Sequence, residues 1–340
     1  MKKLFISILI ILIGGGFGIT WLKVNKVDTT VLSNLSAVNI EVTQGDTLYR
    51  VNQRLLKYAD IDMIGFKLWL KLNPKYSNIQ AGYYEITPNS SLISVYSMLV
   101  TGKTKQYKIT LLEGQTASHW FVQLSKNPNL EYDIYSEPSL YLMLMTKDDS
   151  FCENDFKKLE GCLLPDTYFF DRGTKSSQIL KRAFSAMRLE VDNAWDHRFD
   201  DIPIKTSYQA LILASIIEKE TAVESERKKI AGVFVNRLEK NMRLQTDPTV
   251  IYGLGDKFKG DITRKHLRTP TPYNTRIIKG LPPTPIAMPN RASIDAAMHP
   301  AVTDALYFVA TGYGGHQFST NLVDHNKAVR AYRKVLDKSQ

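Results

Sequence analysis

The sequence lacks most of the signatures that identify common hydrolases and nucleotide-dependent enzymes. Its 340 residues include only six histidines and two cysteines, and the histidines are scattered without the spacing of metal ligands. It contains no H-E-x-x-H, no G-x-S-x-G and no glycine-rich loop that would cradle a phosphate. The S-x-x-K match at Ser225–Lys228 is not accompanied by S-D-N or K-T-G. These absences argue against zinc peptidases, α/β-hydrolases, β-lactamase-type enzymes and enzymes that bind nucleotides.

Long apolar runs are absent except at the N-terminus. Leu4–Leu22 is a stretch of 19 residues without a charge, and as a helix it would be roughly 28 Å long, close to the hydrocarbon core of a bilayer. A cleavable signal peptide is the alternative, because Gly16-Phe17-Gly18 resembles a small-x-small cleavage site. The run continues to Trp21, which suits a membrane interface. We therefore expect an uncleaved transmembrane anchor within residues 1–23, a tether over 24–37, and the rest of the chain on one side of the membrane.

Acidic residues are in the minority, with 34 Asp and Glu against 44 Lys and Arg, for a net charge of +10. This balance suits an anionic surface such as lipid headgroups or cell wall. We expect no nucleic-acid partner, because a chain anchored outside the cytoplasm rarely meets nucleic acid. Cys152 and Cys162 lie ten residues apart. In an oxidising compartment they could form one disulfide, and two unpaired thiols are the alternative.

A pattern of strand, turn, cap and helix recurs in the first half of the chain. Short apolar strands precede Thr47, Ser91 and Thr116, and each of these residues precedes a run with apolar side chains at i, i+3 and i+4. The composition, 44% hydrophobic and 23% charged, is that of a globular protein long enough for two domains. The fold class predicted is α+β, with a small α+β module over 38–110 and a larger mixed domain over 111–340.

The larger domain is organised around the stretch that begins at Thr206. Thr206 and Gln209 have the spacing of a capping box, in which each side chain caps the other's backbone N–H, so a helix is expected to start there. From Ala210 to Ile217 only Ser215 interrupts an apolar circumference, which is typical of a buried helix.

Glu218 follows at the inner end of that helix. A carboxylate there must be paired, or must hold its proton because its surroundings are apolar, and a protonated carboxyl is what a general acid for glycoside cleavage requires. The alternative is that Glu218 is simply the first exposed residue, with Lys219 and Glu220 as solvated neighbours. Glu218 and Glu220 are two apart and would point to opposite sides of the helix. Because ordinary glycosidases use two carboxylates, a single one indicates an enzyme whose substrate supplies the missing group.

The remaining stretches predict a coarse series of elements. They are a loop over Glu131–Asn154, a helix over Ser176–Trp195, a helix over Glu224–Asn241, and a short helix with Asp247 as N-cap and Pro248 as first residue. A stiff Pro-rich loop over Thr269–Pro289 would be a lid or a binding wall. A helix over Arg291–Met298, a hairpin and a final helix over Asn321–Leu336 complete the chain.

Several longer motifs carry a family resemblance. They are LEGCLLPDTY, LASIIEKET, VFVNRL, RLQTDPTVIYGLG, KGLPPTPI and LYFVATGYGGHQFS. In these motifs and in their order the sequence resembles the membrane-anchored endolytic murein transglycosylases, the MltG or YceG-like family, over nearly the whole chain. The resemblance implies a LysM-like module at about 38–110 and a C-terminal catalytic domain. Cys162 departs from the family motif, which commonly has an aromatic residue there, so the disulfide question is particular to this protein.

The resemblance also implies an activity. The family cleaves the β-1,4 bond between N-acetylmuramic acid and N-acetylglucosamine within nascent glycan strands, leaves a 1,6-anhydro muramyl end, and thereby ends strand elongation. It implies no metal or other cofactor. It implies a single-pass protein of the bacterial inner membrane, with the N-terminus in the cytoplasm and the catalytic part in the periplasm. The expected partners are glycan strands, membrane lipid and peptidoglycan synthases.

Site residues follow from the motif positions. Glu218 matches the catalytic glutamate, the first acid of E-K-E-T. The positions that look like substrate-groove residues are Asn236, Arg237, Gln245, Asp247, Tyr252, Tyr273 and Asn274. The rival hypotheses are a non-catalytic scaffold that binds cell wall for synthetic enzymes, and an ordinary hydrolytic muramidase that uses Glu218 with a second acid.

Overall fold

The computed structural model describes residues 2–32, 36–145 and 151–339, without the side chains of residues 2–14, 17, 338 and 339. The chain divides into two compact units. The first unit is Met1–Tyr107 with Phe169–Gly173, and the second is Lys108–Tyr168 with Thr174–Gln340. Both contain helices and short strands, so the prediction of a mixed α+β protein is confirmed.

The first unit contains a two-stranded antiparallel sheet and four helices among its described residues. Its elements in order are α1 (Lys2–Thr29), β1 (Val38–Val42), α2 (Leu48–Leu55), α3 (Met63–Leu72), a 3-10 turn (Pro74–Tyr76), β2 (Gly82–Ile86) and α4 (Leu92–Thr101). Val38 lies opposite Ile86 in the sheet. Thr47 and Ser91 accept hydrogen bonds from the backbone N–H groups of Arg50 and Ser94. The predicted pattern of strand, cap and helix is therefore confirmed, whereas the likeness to a LysM module stays a prediction.

Helix α1 continues to Thr29, through residues that the sequence predicted as a tether. Its last turns pack on α3: Val27 is buried, and the Trp69 Nε1–H donates to Asp28 at 2.8 Å. A side chain at Gly65 would collide with the carbonyl of Lys23, so the two helices approach as closely as they do because residue 65 is glycine. Tertiary packing thus makes a helix of a segment whose sequence is polar and aperiodic.

Among the residues that the structure describes, no helix is both long and apolar enough to cross a membrane. Most of the predicted anchor, Leu4–Leu22, has side chains outside the described residues. The transmembrane anchor therefore stays a prediction.

The second unit is mainly helical. Strand β3 (Gln106–Leu111) leads into it, and its further elements are α5 (Ala117–Ser125), β4 (Leu130–Glu131), α6 (Glu137–Leu144), β5 (Asp166–Asp171), β6 (Thr174–Lys175), α7 (Ser176–Asp196), α8 (Ser207–Glu220), a 3-10 turn (Glu224–Glu226), α9 (Arg227–Glu239), α10 (Asp247–Leu254), a 3-10 turn (Gly255–Lys257), α11 (Arg264–Arg268), α12 (Arg291–Met298), β7 (Tyr307–Ala310), β8 (His316–Ser319) and α13 (Leu322–Ser339). Strand β3 pairs with β5, β4 runs parallel to β6, and β7 with β8 forms an antiparallel hairpin.

Helix α8 is the buried centre of this unit, as predicted. Every residue from Ala210 to Ile217 is buried, and helices α7, α9, α10 and α12 pack around it. The Thr206 hydroxyl caps the Gln209 N–H at 3.1 Å, but the Gln209 side chain accepts from the Lys205 N–H rather than from Thr206. The second hydrogen bond of the predicted capping box thus comes from Lys205 instead of Thr206, and the helix starts where it was predicted to start.

Two other details differ from the prediction. The segment Glu131–Asn154, expected to be a loop, contains helix α6, in which Ser136 caps the Ser139 N–H. Thr246, rather than Asp247, occupies the N-cap position of α10, because the Asp247 side chain pairs with Arg276 instead of turning back to the helix.

Candidate active site

Glu218 lies at the C-terminal end of α8, where α8 meets the start of α12. Its side chain is half-buried, and its Oε2 accepts two hydrogen bonds, from the Asn290 N–H at 3.0 Å and from the Ser293 hydroxyl at 2.7 Å. None of the described residues donates to Oε1. The apolar surroundings expected for Glu218 hold up to Ile217 but not for the carboxyl group itself, because polar groups of α12 reach it. The result is a carboxyl with one fixed oxygen and one open oxygen.

The Pro-rich segment after Thr269 forms a packed wall beside this carboxyl. Ser215, one turn before Glu218 on α8, accepts a hydrogen bond from the Ile286 N–H at 3.0 Å. Met288, which belongs to this wall, exchanges backbone hydrogen bonds with the turn before α5. Its N–H donates to the Gln115 carbonyl at 2.9 Å, and its carbonyl accepts from the Gly114 N–H at 2.8 Å. Ser215, the single polar residue of the buried stretch Ala210–Ile217, thus positions the wall, and the wall positions Gly114.

Gly114, in the turn that precedes α5, lies against the Glu218 side chain. Its φ of +69° belongs to the left-handed region that glycine adopts most readily, and a Cβ here would stand 4.0 Å from the Glu218 Cγ. The Lys219 ammonium donates to the Gly114 carbonyl at 3.1 Å. This bond ties the end of α8 to the turn that precedes α5.

A groove of about 910 Å³ opens beside Gly114 and Lys219. Its walls combine aromatic rings, hydroxyls and charged groups, a mixture that suits carbohydrate. The aromatic part is Tyr252 against Tyr273, with ring centroids 4.9 Å apart, and the Lys158 ammonium lies 5.4 Å from the Tyr252 ring. The other lining residues include Gln115, Thr116, Ser118, His119, Glu137, Glu160, Pro248, Ile251, Asp256 and Ile286.

Glu160 is a groove residue that the sequence analysis did not single out. It is 4% exposed, its Oε1 accepts the Ala117 N–H at 3.0 Å, and its Oε2 lies 3.2 Å from the Tyr252 hydroxyl. Burial raises the pKa of Glu160 to about 8; the nearby Glu137 acts in the same direction, and the hydrogen bond from Ala117 opposes it. The sequence did contain one signal that could have identified Glu160: it is an acidic residue among apolar residues in the motif LEGCLLPDTY.

The alternative hypothesis for Glu218 made Glu220 a solvated neighbour, and the structure does not agree with it. Its side chain is half-buried and accepts a hydrogen bond from the Thr246 hydroxyl. Burial raises the pKa of Glu220, the hydrogen bond from Thr246 opposes this, and the negative charge of Asp247 adds to it. Glu220 lines a separate cavity of about 490 Å³ between α8, α9, α10, the β7–β8 hairpin and α13. The prediction that Glu218 and Glu220 face different sides of α8 agrees with these different partners.

The structure divides the predicted groove residues among three environments. Tyr252 and Tyr273 line the groove beside Glu218. Arg237, Gln245 and Asp247 line the cavity of Glu220 instead.

Asn236 and Asn274 hold the backbone in place. Asn236 Nδ2 donates to the carbonyls of Thr303 and Ala305, and Asn274 Nδ2 donates to those of Leu267 and Thr269.

Arg237 also binds backbone, although it borders a cavity. The side chain is 7% exposed and donates to the carbonyls of Leu306, Arg243 and Leu244 at 2.6, 3.3 and 2.7 Å. Three of the five guanidinium N–H groups are thus taken by carbonyls. Its contacts therefore indicate that it fixes the hairpin and the turn before α10.

A disulfide joins Cys152 to Cys162, and no described cysteine is free. The sequence had left this pairing open. The loop that the bond closes carries both Lys158 and Glu160. Asn154 orders the same loop, because its Oδ1 accepts the Lys158 N–H and its Nδ2 donates to the carbonyls of Cys152 and Lys158.

Comparison with known proteins finds relatives that carry the same name. An endolytic murein transglycosylase of Bacillus subtilis (strain 168) is 32% identical over 312 residues, which cover 87% of this chain and 85% of that protein. A protein of the same name from Streptococcus pneumoniae (strain D39) is 25% identical, and the match covers 97% of this chain and 65% of that protein's length.

A solved structure has a similar fold. The crystal structure of a putative YceG-like protein from Listeria monocytogenes matches with a TM-score of 0.53 at 30% identity, over 86% of this chain and 99% of that one. The sequence profile of the YceG-like family matches residues 40–331, which is most of the chain. The protein therefore belongs to the YceG-like family.

Proposed function

We propose that this protein is an endolytic murein transglycosylase that cleaves glycan strands at Glu218. The observation that carries the proposal is the asymmetry of the Glu218 carboxyl. Two donors hold Oε2, and a backbone N–H can only donate, so the proton of a neutral Glu218 belongs on Oε1. That oxygen is free of protein donors among the described residues, as a general acid in contact with substrate needs to be. The name of the relatives from Bacillus subtilis and Streptococcus pneumoniae supports the same activity.

The reaction uses this one carboxyl twice. Glu218 gives its proton to the glycosidic oxygen as the bond from that oxygen to C1 of the muramyl sugar breaks. The substrate's own 2-acetamido group meets the positive charge that develops at C1, in place of a second carboxylate. Glu218, now ionised, takes the proton of the muramyl 6-hydroxyl as O6 bonds to C1. Glu218 ends the cycle protonated, no water is consumed, and the product is a 1,6-anhydro end.

The groove lined by Tyr252 and Tyr273 is the proposed path of the glycan. It reaches Gly114, which lies against Glu218, and tyrosine rings provide flat apolar surfaces for sugar rings together with polar hydroxyls. Gln245 and Asp247 belong to the other cavity, so their part in binding stays a prediction.

The decisive experiment compares Glu218→Gln with Glu220→Gln on purified peptidoglycan. In Glu218→Gln the amide oxygen can keep both donors while the amide nitrogen replaces Oε1, so the acid proton is lost without a change of shape. We expect cleavage to fall by about 10²–10⁴-fold while glycan still binds. Glu220→Gln is the matched control: its amide oxygen can still accept from Thr246, and it should keep cutting.

Product analysis separates the rival functions. Mass spectrometry of the parent digest should find anhydro ends. Reducing ends would instead indicate a hydrolytic muramidase with a second acid. No cleavage by any of the three proteins would leave a wall-binding scaffold as the better hypothesis, and loss of cleavage with Glu220→Gln alone would move the chemistry to the other cavity.

We further propose that residues 1–23 anchor the protein in the inner membrane with the N-terminus in the cytoplasm and the catalytic part in the periplasm, and that residues 38–110 form a LysM-like module. The uncharged run of Leu4–Leu22 supports this placement. Membrane lipid and peptidoglycan synthases would then be its neighbours. The protein should keep Met1 and sediment with membranes after a high-salt wash. A soluble form that starts near Ile19 or Thr20 would contradict the proposal.

A further inference from the structure

The hydroxyl of Tyr252 has two polar neighbours on the wall of the groove. The Lys158 ammonium donates to Tyr252 Oη at 3.5 Å, and Glu160 Oε2 lies 3.2 Å from the same oxygen. Tyr252 is half-buried, whereas Glu160 is buried beneath it. The hydroxyl therefore stands between the buried acid and the open groove.

The direction of each hydrogen bond depends on where the Glu160 proton is. Glu160 Oε1 accepts the Ala117 N–H, so a proton on neutral Glu160 belongs on Oε2, from which it is donated to Tyr252 Oη. Lys158 can only donate. With both acceptor positions of Oη filled, the O–H of Tyr252 is free to donate into the groove.

Ionisation of Glu160 reverses this arrangement. A carboxylate has no proton to give, so Oε2 accepts the O–H of Tyr252. The hydroxyl then offers no donor to a ligand. The same side chain in the same position thus changes from donor to acceptor toward the groove.

We propose that Glu160 is a positioning residue which, when protonated, directs the Tyr252 O–H into the groove to donate to an acceptor oxygen of the glycan, such as the carbonyl of an N-acetyl group. This rests on the proposed function for the nature of the ligand. Glu160 itself does not touch the substrate. Its effect is on affinity, through Tyr252, and it is separate from the acid and base work of Glu218.

The groups around Glu160 set the pH at which the change occurs. Burial raises the pKa of Glu160 to about 8; the Ala117 N–H, the Tyr252 hydroxyl and Lys158 oppose this, whereas Glu137 reinforces it. Other titratable groups that interact with Glu160 are the phenols of Tyr208 and Tyr273, and burial raises the pKa of both. Toward the groove, the Tyr252 hydroxyl is therefore a hydrogen-bond donor at neutral pH and an acceptor well above pH 8.

Binding by a protein that cannot cleave isolates this effect from the chemistry. The full-length Glu218→Gln protein would be titrated with glycan strands stripped of stem peptides, at pH 6.5 and pH 9.5. One hydrogen bond contributes about 0.5–1.5 kcal/mol, so we expect the affinity to fall about two- to tenfold at the higher pH. Adding Glu160→Gln should abolish the fall and keep tight binding at both values, because the amide nitrogen donates to Tyr252 at every pH.

Two further variants complete the test. Adding Tyr252→Phe instead should give weak binding at both pH values, and combining it with Glu160→Gln should change nothing more. Glu153→Gln, an exposed carboxyl in the same disulfide loop, is the matched control and should show the same fall as the protein without it.

Each outcome decides the matter. A role limited to holding the fold predicts that Glu160→Gln binds equally poorly at both pH values, and this would overturn the proposal. So would a fall that persists in Glu160→Gln or in Tyr252→Phe, or an absence of glycan binding at pH 6.5. Failure of the proposed function has a different signature, since the parent protein would then produce no anhydro ends whatever its affinity does.

Discussion

The buried acid Glu160 predicts an unusual dependence of stability on pH. Its pKa is about 8 in the folded protein and 4.5 is its ordinary value. Between these values the folded state keeps a proton that the unfolded chain has released, so a rise in pH favours unfolding. The effect is small below pH 4.5 and complete above pH 8. At about 1.4 kcal/mol for each pH unit, the separation amounts to at most about 5 kcal/mol.

Glu160→Gln should remove this loss. Gln keeps the acceptor for the Ala117 N–H and carries no charge at any pH. From pH 5 to pH 9 the free energy of unfolding of the parent should therefore fall by about 4 kcal/mol more than that of the variant.

Urea unfolding at five pH values would measure the difference. Tryptophan fluorescence would follow the unfolding, and Trp120, one of the four tryptophans, is buried in the same unit as Glu160. Other titrating groups cancel between the two proteins. Glu153→Gln, whose side chain is exposed, should run parallel to the parent. If Glu160→Gln also runs parallel to within about 1 kcal/mol, the reasoning about burial is wrong.

Three other predictions follow from contacts in the second unit. Cys162→Ser should lower the free energy of unfolding by about 3 kcal/mol in urea titrations, the value for a disulfide loop of this length. Thiol reagents should label no cysteine of the unreduced parent protein, and two reactive thiols would refute the disulfide. Ser293→Ala removes one of two donors to Glu218 and should lower kcat about tenfold with KM unchanged; an unaltered kcat would contradict the positioning role. Arg237→Met leaves three carbonyls without their donor and should cost about 3 kcal/mol of stability, whereas a raised KM with unchanged stability would assign it to binding.

Local patterns in the sequence predicted the elements well. Helix α12 was expected over Arg291–Met298 and is found there, and α8 is buried from Ala210 to Ile217. The caps at Thr47, Ser91 and Thr116 were predicted correctly. These features depend on residues within a few positions of one another, so the sequence carries them directly.

The surroundings of the site could not be predicted in the same way. Glu160 meets Ala117 and Tyr252, which are 43 and 92 positions away along the chain. Glu218 meets Asn290 and Ser293, 72 and 75 positions away. Periodicity has no information on such pairs, and motif membership marks a residue without saying what it touches. The family motifs therefore singled out Glu218 as the catalytic candidate, whereas the partners that give it one open oxygen had to come from the structure.

The spacing of Glu218 and Glu220 explains how the end of α8 places two carboxyl groups in two different surroundings. Residues two apart on a helix point to opposite sides, and each carboxyl here meets the start of a different helix: Glu218 meets α12 through Asn290 and Ser293, and Glu220 meets α10 through Thr246. Two such groups cannot flank one glycosidic bond, so Glu220 is not the water-activating base of a hydrolase. Attack by the substrate's own 6-hydroxyl needs only the base that Glu218 becomes after giving up its proton. With Glu220 excluded as its partner, Glu218 acting alone gives the anhydro product of the proposed function.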